Sequence, residues 1–243
     1  MRFIVLDTAD ARGSVALFEN SALICMEAHS TDEDYSVWLL PAVHRTLDLS
    51  GLSLSELDGY AVCAGPGSFT GLRVGLTTVK AWSEIYGKPI AGVSRLAALA
   101  ANPPAGPEIA ESFVATCIDA RRGQLFAALY ENSSHCMMPI GEESVISPSE
   151  FVLAVRTQAD GRHVRWRTPD PELLQSLPEW QSAAAAGDIL VTVPPPFADR
   201  LGVLAHRKFQ IGEVTDAFSL DANYVRRSDA ELFWKDNRTA VKP

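Results

Sequence analysis

The sequence predicts a mixed α/β fold in two lobes, and three observations predict it. Residues 57–64 are apolar almost throughout, as expected of a strand covered on both faces. That run enters a Gly65-Pro66-Gly67-Ser68 bend and leaves as a helical pattern reaching Tyr86. A strand ending in an acid also occurs twice, at Asp7 and at Asp119, the second a weak echo of the first.

Residues 2–6 form a short apolar run ending at Asp7-Thr8, and residues 14–18 and 23–27 follow across glycine- and Asn-Ser-bearing turns. This pattern reads as a three-stranded antiparallel meander. Asp7 and Thr8 at the first turn suit either phosphate or metal contact or the turn's own backbone. A helix is expected over 34–50, with acids at its start and Gly51 past its end. At about 100° per residue, Leu39, Leu40, Val43 and Leu47 share a stripe expected to face the sheet. Trp38, Ala42 and Leu49 share a second stripe about 120° away. Pro41 is expected to kink the helix or mark a late start.

In the bend, Gly65 and Gly67 can take positive φ while Pro66 fixes φ between them. Ser68 or Thr70 can cap the next helix. The N–H groups of Gly67, Ser68 and Phe69 then meet the positive end of the helix dipole, which suits an anion. Within that helix Leu72, Gly75, Leu76, Val79 and Tyr86 form one face and Val74, Ala81 and Ile85 another. An apolar arc of about 220° is wider than an ordinary surface helix carries, so a sheet on one side and a second helix or partner on the other are expected. Gly71 and Gly75, four apart, would admit a neighbouring helix close to the backbone.

Residues 89–93 return as a strand, and Ser94 caps a helix through Ala101. The stretch 102–107, NPPAGP, disfavours regular structure and marks a boundary. The expected units are 1–103, a smaller 104–195, and a terminal helix and tail, 196–243, packing back on the fold. Residues 113–118 and 125–131 form a hairpin whose turn holds Asp119, Arg121 and Arg122. Beyond it the pattern thins to a short helix over 148–155 opened by Ser147, strands at 162–167 and 190–193, and a helix over 197–209. The tail mixes aromatics and charges without a fixed period.

With 243 residues the chain can bury a core, and its net charge of −9 argues against a surface that grips nucleic acid. The clusters Arg162, Arg165, Arg167 and Arg226, Arg227 read chiefly as solvated faces. The N-terminus meets Asp7 too early for a secretory signal, and no apolar stretch approaches a membrane span, which places the chain in the cytoplasm. Cys25, Cys63, Cys117 and Cys136 lack CxxC spacing and read as core thiols. The five histidines show no HExxH pairing, so no metal site is expected. The bend lacks the Gly-Lys-Ser/Thr of a Walker loop, and Ser68 lacks a GxSxG frame. Glycines after Gly106 are isolated, so an adenosine loop cannot be assembled from them, and no catalytic residue is assigned.

LDTA at Leu6 to Ala9, AGPGSFTGLRVG at Ala64 to Gly75, DARRGQLFAALY at Asp119 to Tyr130 and NYVRRSDAE at Asn223 to Glu231 resemble the bacterial TsaB (YeaZ) family over nearly the whole chain. The resemblance implies an actin-like fold of the sugar kinase/Hsp70/actin type, with two ribonuclease-H-like subdomains, the second reduced. It implies a role in making threonylcarbamoyladenosine in tRNA, as the non-catalytic partner of TsaD, with the ATPase TsaE joining. The helices from Asp34 and from Ser68 are expected to set their spare apolar faces against TsaD or, as a homodimer, against another copy of this chain, and tRNA is met only through the complex. No cofactor is implied for the isolated chain, any nucleotide belonging to the complex interface. Trp38, Ala42, Leu72, Gly75, Leu76 and Val79 are the expected partner contacts. Asp7, Thr8, Gly65, Gly67, Ser68, Phe69 and Thr70 are the candidate anion or nucleotide contacts. The competing readings are a glycoprotease-like metallopeptidase of the M22 type and a stand-alone nucleotide-binding enzyme. Residues 164–186 align poorly with the family pattern.

Overall fold

Alternating apolar residues at the N-terminus fold as β1 (Arg2–Asp7), β2 (Ser14–Glu19) and β3 (Ala22–Ala28), an antiparallel meander with Val5 opposite Ala16 and Ala16 opposite Met26. The computed structural model describes residues 1–29, 33–101, 113–133 and 136–225. α1 (Tyr35–Asp48) leads to β4 (Gly59–Gly65), α2 (Phe69–Tyr86), β5 (Ile90–Ser94) and the short α3 (Arg95–Ala100). β4 lies parallel to β1, and β5 parallel to β4, giving the order β3-β2-β1-β4-β5. β1 is central, which is why Phe3 to Asp7 are wholly buried.

The second lobe repeats the plan. A meander of β6 (Phe113–Asp119), β7 (Leu125–Ser133) and β8 (Cys136–Ile146) is followed by α4 (Pro148–Ala159) and β9 (Val164–Thr168), parallel to β6. Then come α5 (Glu172–Gln175), α6 (Pro178–Ala185), β10 (Ile189–Thr192) and α7 (Ala198–Ile211). The order β10-β9-β6-β7-β8 matches the first sheet strand for strand. The expected reduction is therefore confined to the helices: where the first lobe carries α2 of 18 residues, the second has α5 and α6 of 4 and 8.

The lobes exchange their last helices. α7 packs on β1, β2 and β5 of the first sheet, and α3 packs on β6 of the second. Phe209 of α7 meets Phe3, which stacks on Phe18 with ring centroids 5.3 Å apart. α1 and α2 pack side by side on the first sheet. The chain after α7 returns along β5, where Thr215 bridges Ile90, and Asn223 N–H donates to the Ala64 carbonyl at 2.7 Å.

Several expectations change at this level. α1 starts at Tyr35 and continues through Pro41, whose missing N–H falls on the solvent side. Leu40 is exposed, and Trp38 and Ala42 turn inward, so the buried stripe is displaced from the expected one. β8 escaped sequence reading because Pro139 and Gly141 interrupt it, both tolerated on an edge strand with a register shift. The arginines of β9 are not a solvated face: Arg165 and Arg167 are buried, and Arg167 Nη1 donates to the Leu99 carbonyl at 3.3 Å and to that of Ala100, at the C-terminal end of α3. Arg162 lies over the Phe113 ring and pairs with Glu131 at 3.5 Å. Arg226 and Arg227 lie outside the described residues. Cys63 and Cys117 are buried free thiols, and Cys25 is a half-buried one. No helix among the described residues is long and apolar enough to cross a membrane.

Candidate functional site

The ends of β1 and β6 open on one cleft of about 390 Å³ between the lobes, lined by Ala9, Asp10, Arg12 and Gly67 from one side and by Asp119 and Asp170 from the other. The duplicated topology causes this, since each central strand ends in an acid at the same edge of its sheet. The Asp7 carboxylate is buried beneath the cleft and accepts the Ala9 N–H at 3.0 Å. Asp10 accepts Arg95 Nη2 at 2.7 Å and Arg12 Nη2 at 3.1 Å. Arg12 also reaches across to Asp170 at 3.4 Å, tying the lobes together. Asp119 takes the Arg121 N–H at 2.7 Å, with the Arg121 guanidinium 3.3 Å away.

Arg95 is the centre of this network. It opens α3, is almost wholly buried, and stands with its Nε 4.0 Å from Asp7 Oδ2 and its guanidinium 4.8 Å from the Phe197 ring centroid. Among the described residues, neither Arg95 Nε nor Asp7 Oδ2 has a hydrogen-bond partner. Burial pushes the Asp7 carboxyl up, against the pull of Arg95 and the Ala9 N–H. Burial also raises Asp10, but Arg95 and the Arg12 side chain and N–H outweigh it and bring Asp10 down to about 2. Sequence reasoning missed Asp10, Arg12, Arg95 and Asp170. The available signal was Arg95 itself, a lone cation within the apolar stretch 89–101.

The glycine bend is used for packing. Ser68 caps α2 by accepting the Gly71 N–H at 3.3 Å, but its own N–H donates to the Ala9 carbonyl at 2.6 Å. That donor is therefore spent inside the protein and does not face an open cradle. Gly65 has a φ of +123°, whereas Gly67 is there for closeness: a Cβ on it would stand 2.4 Å from the Ala9 carbonyl oxygen. Thr8 Oγ1 donates to the Gly71 carbonyl at 2.7 Å. Cβ atoms on Gly71 and Gly75 would stand 2.1 Å from Thr8 O and 2.5 Å from Thr8 Oγ1. The small-residue stripe thus admits the β1 turn, not another helix. Phe69 and Thr70 face the outer surface, where Phe69 lies 5.3 Å from the Tyr224 ring and under the Arg73 guanidinium.

The six residues expected to meet a partner are all buried in this chain's own core: Trp38, Ala42, Leu72, Gly75, Leu76 and Val79. They follow the helical stripe nearest the sheet, which a helical wheel cannot tell from an interface stripe. Besides Phe69, large apolar side chains left outside on the same two helices include Val37, Leu40 and Ile85, exposed by 66, 57 and 71%. Val74 is half-buried beside an open groove that runs along Thr70, Arg73 and Thr77. Among the described residues, no group of three His, Cys, Asp or Glu side chains is arranged to hold a metal ion.

Two lobes of identical strand order, helices exchanged between them and a cleft at the paired strand ends define a protein of the actin-like fold. The fold is shared with a ROK hexokinase from Thermus thermophilus, at a TM-score of 0.51 and 10% identity over 88% of this chain and 100% of that one. A family model described as TsaD, tRNA N6-adenosine threonylcarbamoyltransferase, matches residues 28–174. The tRNA threonylcarbamoyladenosine biosynthesis protein TsaB of Escherichia coli is 30% identical over 68% of this chain and 70% of its own length. YeaZ from Pseudomonas aeruginosa superposes with a TM-score of 0.70 at 26% identity, covering 92% of this chain and 99% of that one. The chain belongs to the TsaB (YeaZ) family.

Proposed function

We propose that the chain serves the biosynthesis of threonylcarbamoyladenosine in tRNA as a non-catalytic scaffold. In this reading it binds and stabilises a catalytic TsaD subunit, a TsaE ATPase joins the pair, and tRNA is met through the assembly. The observation that carries the scaffold role is the outer face of α1 and α2, where Val37, Leu40 and Ile85 stand exposed on helices whose other faces are already filled. Large apolar groups left in water on neighbouring helices are what a partner surface offers. The cleft supports the same reading, because the Asp10 carboxylate is already paired with Arg95 and Arg12, and the buried Asp7 lies beneath the cleft facing the same Arg95 guanidinium.

The experiment is co-expression with a TsaD subunit, followed by measurement of complex formation and of tRNA modification. Leu40→Arg or Ile85→Arg should leave the chain folded, abolish co-purification and remove the modification. A folded variant that still assembles and supports modification would defeat the interface. Modification by TsaD and TsaE without this chain would defeat the scaffold role.

A further inference from the structure

The pairing of β8 with β7 shifts partway along: Ala127 faces Ser144 and Leu129 faces Ile140, so residues 141–143 stand opposite Ala128 alone. A bulge of this kind re-aims a side chain. Here the side chain is that of Glu143, which reaches the first lobe. Its carboxylate accepts the Ser94 hydroxyl at the start of α3 and the Asn223 side-chain amide, the latter at 2.6 Å. Burial pushes the Glu143 carboxyl up, and hydrogen bonds from the neutral groups of Ser94, Asn223 and Tyr130 only partly offset it.

Asn223 belongs to the chain that returns along β5 after α7, residues 213–225. This strap is held where Thr215 and Ile90 exchange backbone bonds at 2.8 and 2.9 Å, where Leu220 is buried beside Gly92, and where the Asn223 N–H donates to the Ala64 carbonyl at 2.7 Å. At Asn223 the second lobe takes part, through Glu143. The Asn223 carbonyl also lies against Gly65, where a Cβ would stand 2.7 Å from it. This fixed point sets the next residue. Tyr224 OH accepts Arg73 Nε at 3.3 Å, its ring lies 5.3 Å from that of Phe69, and the Arg73 guanidinium covers Phe69 at 3.8 Å. Phe69 and Tyr224 are still 41 and 40% exposed, so the cluster faces outward at the start of α2.

We propose that Glu143 is a positioning residue for the partner face: by pinning Asn223 it sets the strap against the glycine bend and presents Tyr224, Phe69 and Arg73 as a preformed cluster that the partner subunit contacts. The partner's identity rests on the function proposed above. Aromatic and arginine side chains carry much of the energy of protein interfaces, and holding them in place beforehand saves ordering entropy that binding otherwise costs. Phe69 stands on the same helix as the exposed Ile85, so the cluster continues the face that the scaffold role requires. The pin comes from the other lobe, so a change at β8 is felt at α2 through Asn223 and Tyr224.

The test is amide exchange of residues 221–225 in the free full chain, read beside calorimetric titration of the same variants with the TsaD subunit. Glu143→Ala and, separately, Asn223→Ala should keep the far-ultraviolet spectrum and speed exchange at the residue 223 amide about tenfold or more, as local opening does. Each should weaken binding of the TsaD subunit about fivefold or more, and the double variant should bind no more weakly than either single, because both act through one contact. Ile85→Arg should lose binding with strap exchange unchanged. Unchanged exchange in Glu143→Ala would overturn the pin. Faster exchange at unaltered affinity, or losses that add in the double variant, would overturn the positioning role. If the wild type bound no TsaD subunit, the function proposed above would fall and the positioning role with it, while exchange in the free chain would still decide the pin.

Discussion

Arg95 Nη2 and Asp10 Oδ2 meet at 2.7 Å, joining the start of α3 to the turn after β1 across 85 residues of chain. The guanidinium also faces Asp7, so one buried cation answers two carboxyl groups. Breaking a buried pair by removing one partner leaves the other uncompensated, and such losses run to about 3–5 kcal/mol. Arg95→Met should cost that much in urea unfolding. Adding Asp7→Asn to it should recover part of the loss, because the amide carries no charge to strand. A cost under about 1 kcal/mol for Arg95→Met, the range of exposed ion pairs, would show that the network contributes little.

The same pair sets an acid limb. Asp10 has its folded pKa lowered from 3.8 to about 2, so the unfolded chain takes up this proton first as pH falls. Its contribution is thus complete above the unfolded value and is lost as pH drops from about 4 through about 2, worth roughly 2 kcal/mol in all. Asp7 has the opposite sign and a different window: its pKa is raised above 3.8, so its contribution is complete below that value and is lost as pH rises from there through the folded pKa. Asp10→Asn should therefore flatten the steep part of the acid limb. The stability gap between wild type and variant should close between pH 4 and 2, as measured by thermal unfolding across a pH series.

The strand–turn–helix at residues 59–86 and both meander openings were legible because each rests on local signals, such as apolar runs, a glycine bend and a serine cap. The cleft was half legible. Asp7 and Asp119 stand at strand ends in the sequence, but Asp10, Arg12 and Asp170 matter only once the second lobe folds over the first, and no local period carries that. Burial of Trp38 and Leu76 was misread for a related reason. A helical wheel gives angles between side chains, whereas which sector meets the sheet is decided by packing against β1, β2 and β4. The basic run at 162–167 looked solvated because charge usually is, yet Arg167 is held inside by carbonyls ending α3.

Gly75 and Thr8 offer a test of close packing. A Cβ at Gly75 would stand 2.5 Å from Thr8 Oγ1 and 3.3 Å from Val62 Cγ2. Gly75→Ala gains up to about 1 kcal/mol of helix propensity and loses about 1–3 kcal/mol to overpacking, so net destabilisation is expected. Thr8→Ala alone loses the hydroxyl's bond to the Gly71 carbonyl, about 1 kcal/mol. The double variant removes the clashing oxygen and should be more stable than the sum of the single losses requires. A double-mutant cycle by chemical unfolding reads this directly, and strict additivity would exclude the contact as the reason for glycine.

Leu76 and Ile85 lie on one helix, nine residues apart, and should fail in different assays. Leu76 is 6% exposed and Ile85 71% exposed. Leu76→Arg puts a charge into the packed layer between α2 and the sheet, where even truncation of a leucine costs about 2–5 kcal/mol, so the chain's own unfolding midpoint should fall. Ile85→Arg changes a side chain already in water and should alter stability by no more than about 0.5 kcal/mol. In the proposed assembly its effect falls on binding, because an arginine at that point would have to be desolvated for a partner helix to close over it. Measured side by side, Leu76→Arg should lose stability first and assembly only as a consequence, and Ile85→Arg should lose assembly at unchanged stability. If Ile85→Arg assembled normally with the TsaD subunit while Leu76→Arg remained folded and did not assemble, the partner would have to reach the stripe that α2 now packs against its own sheet.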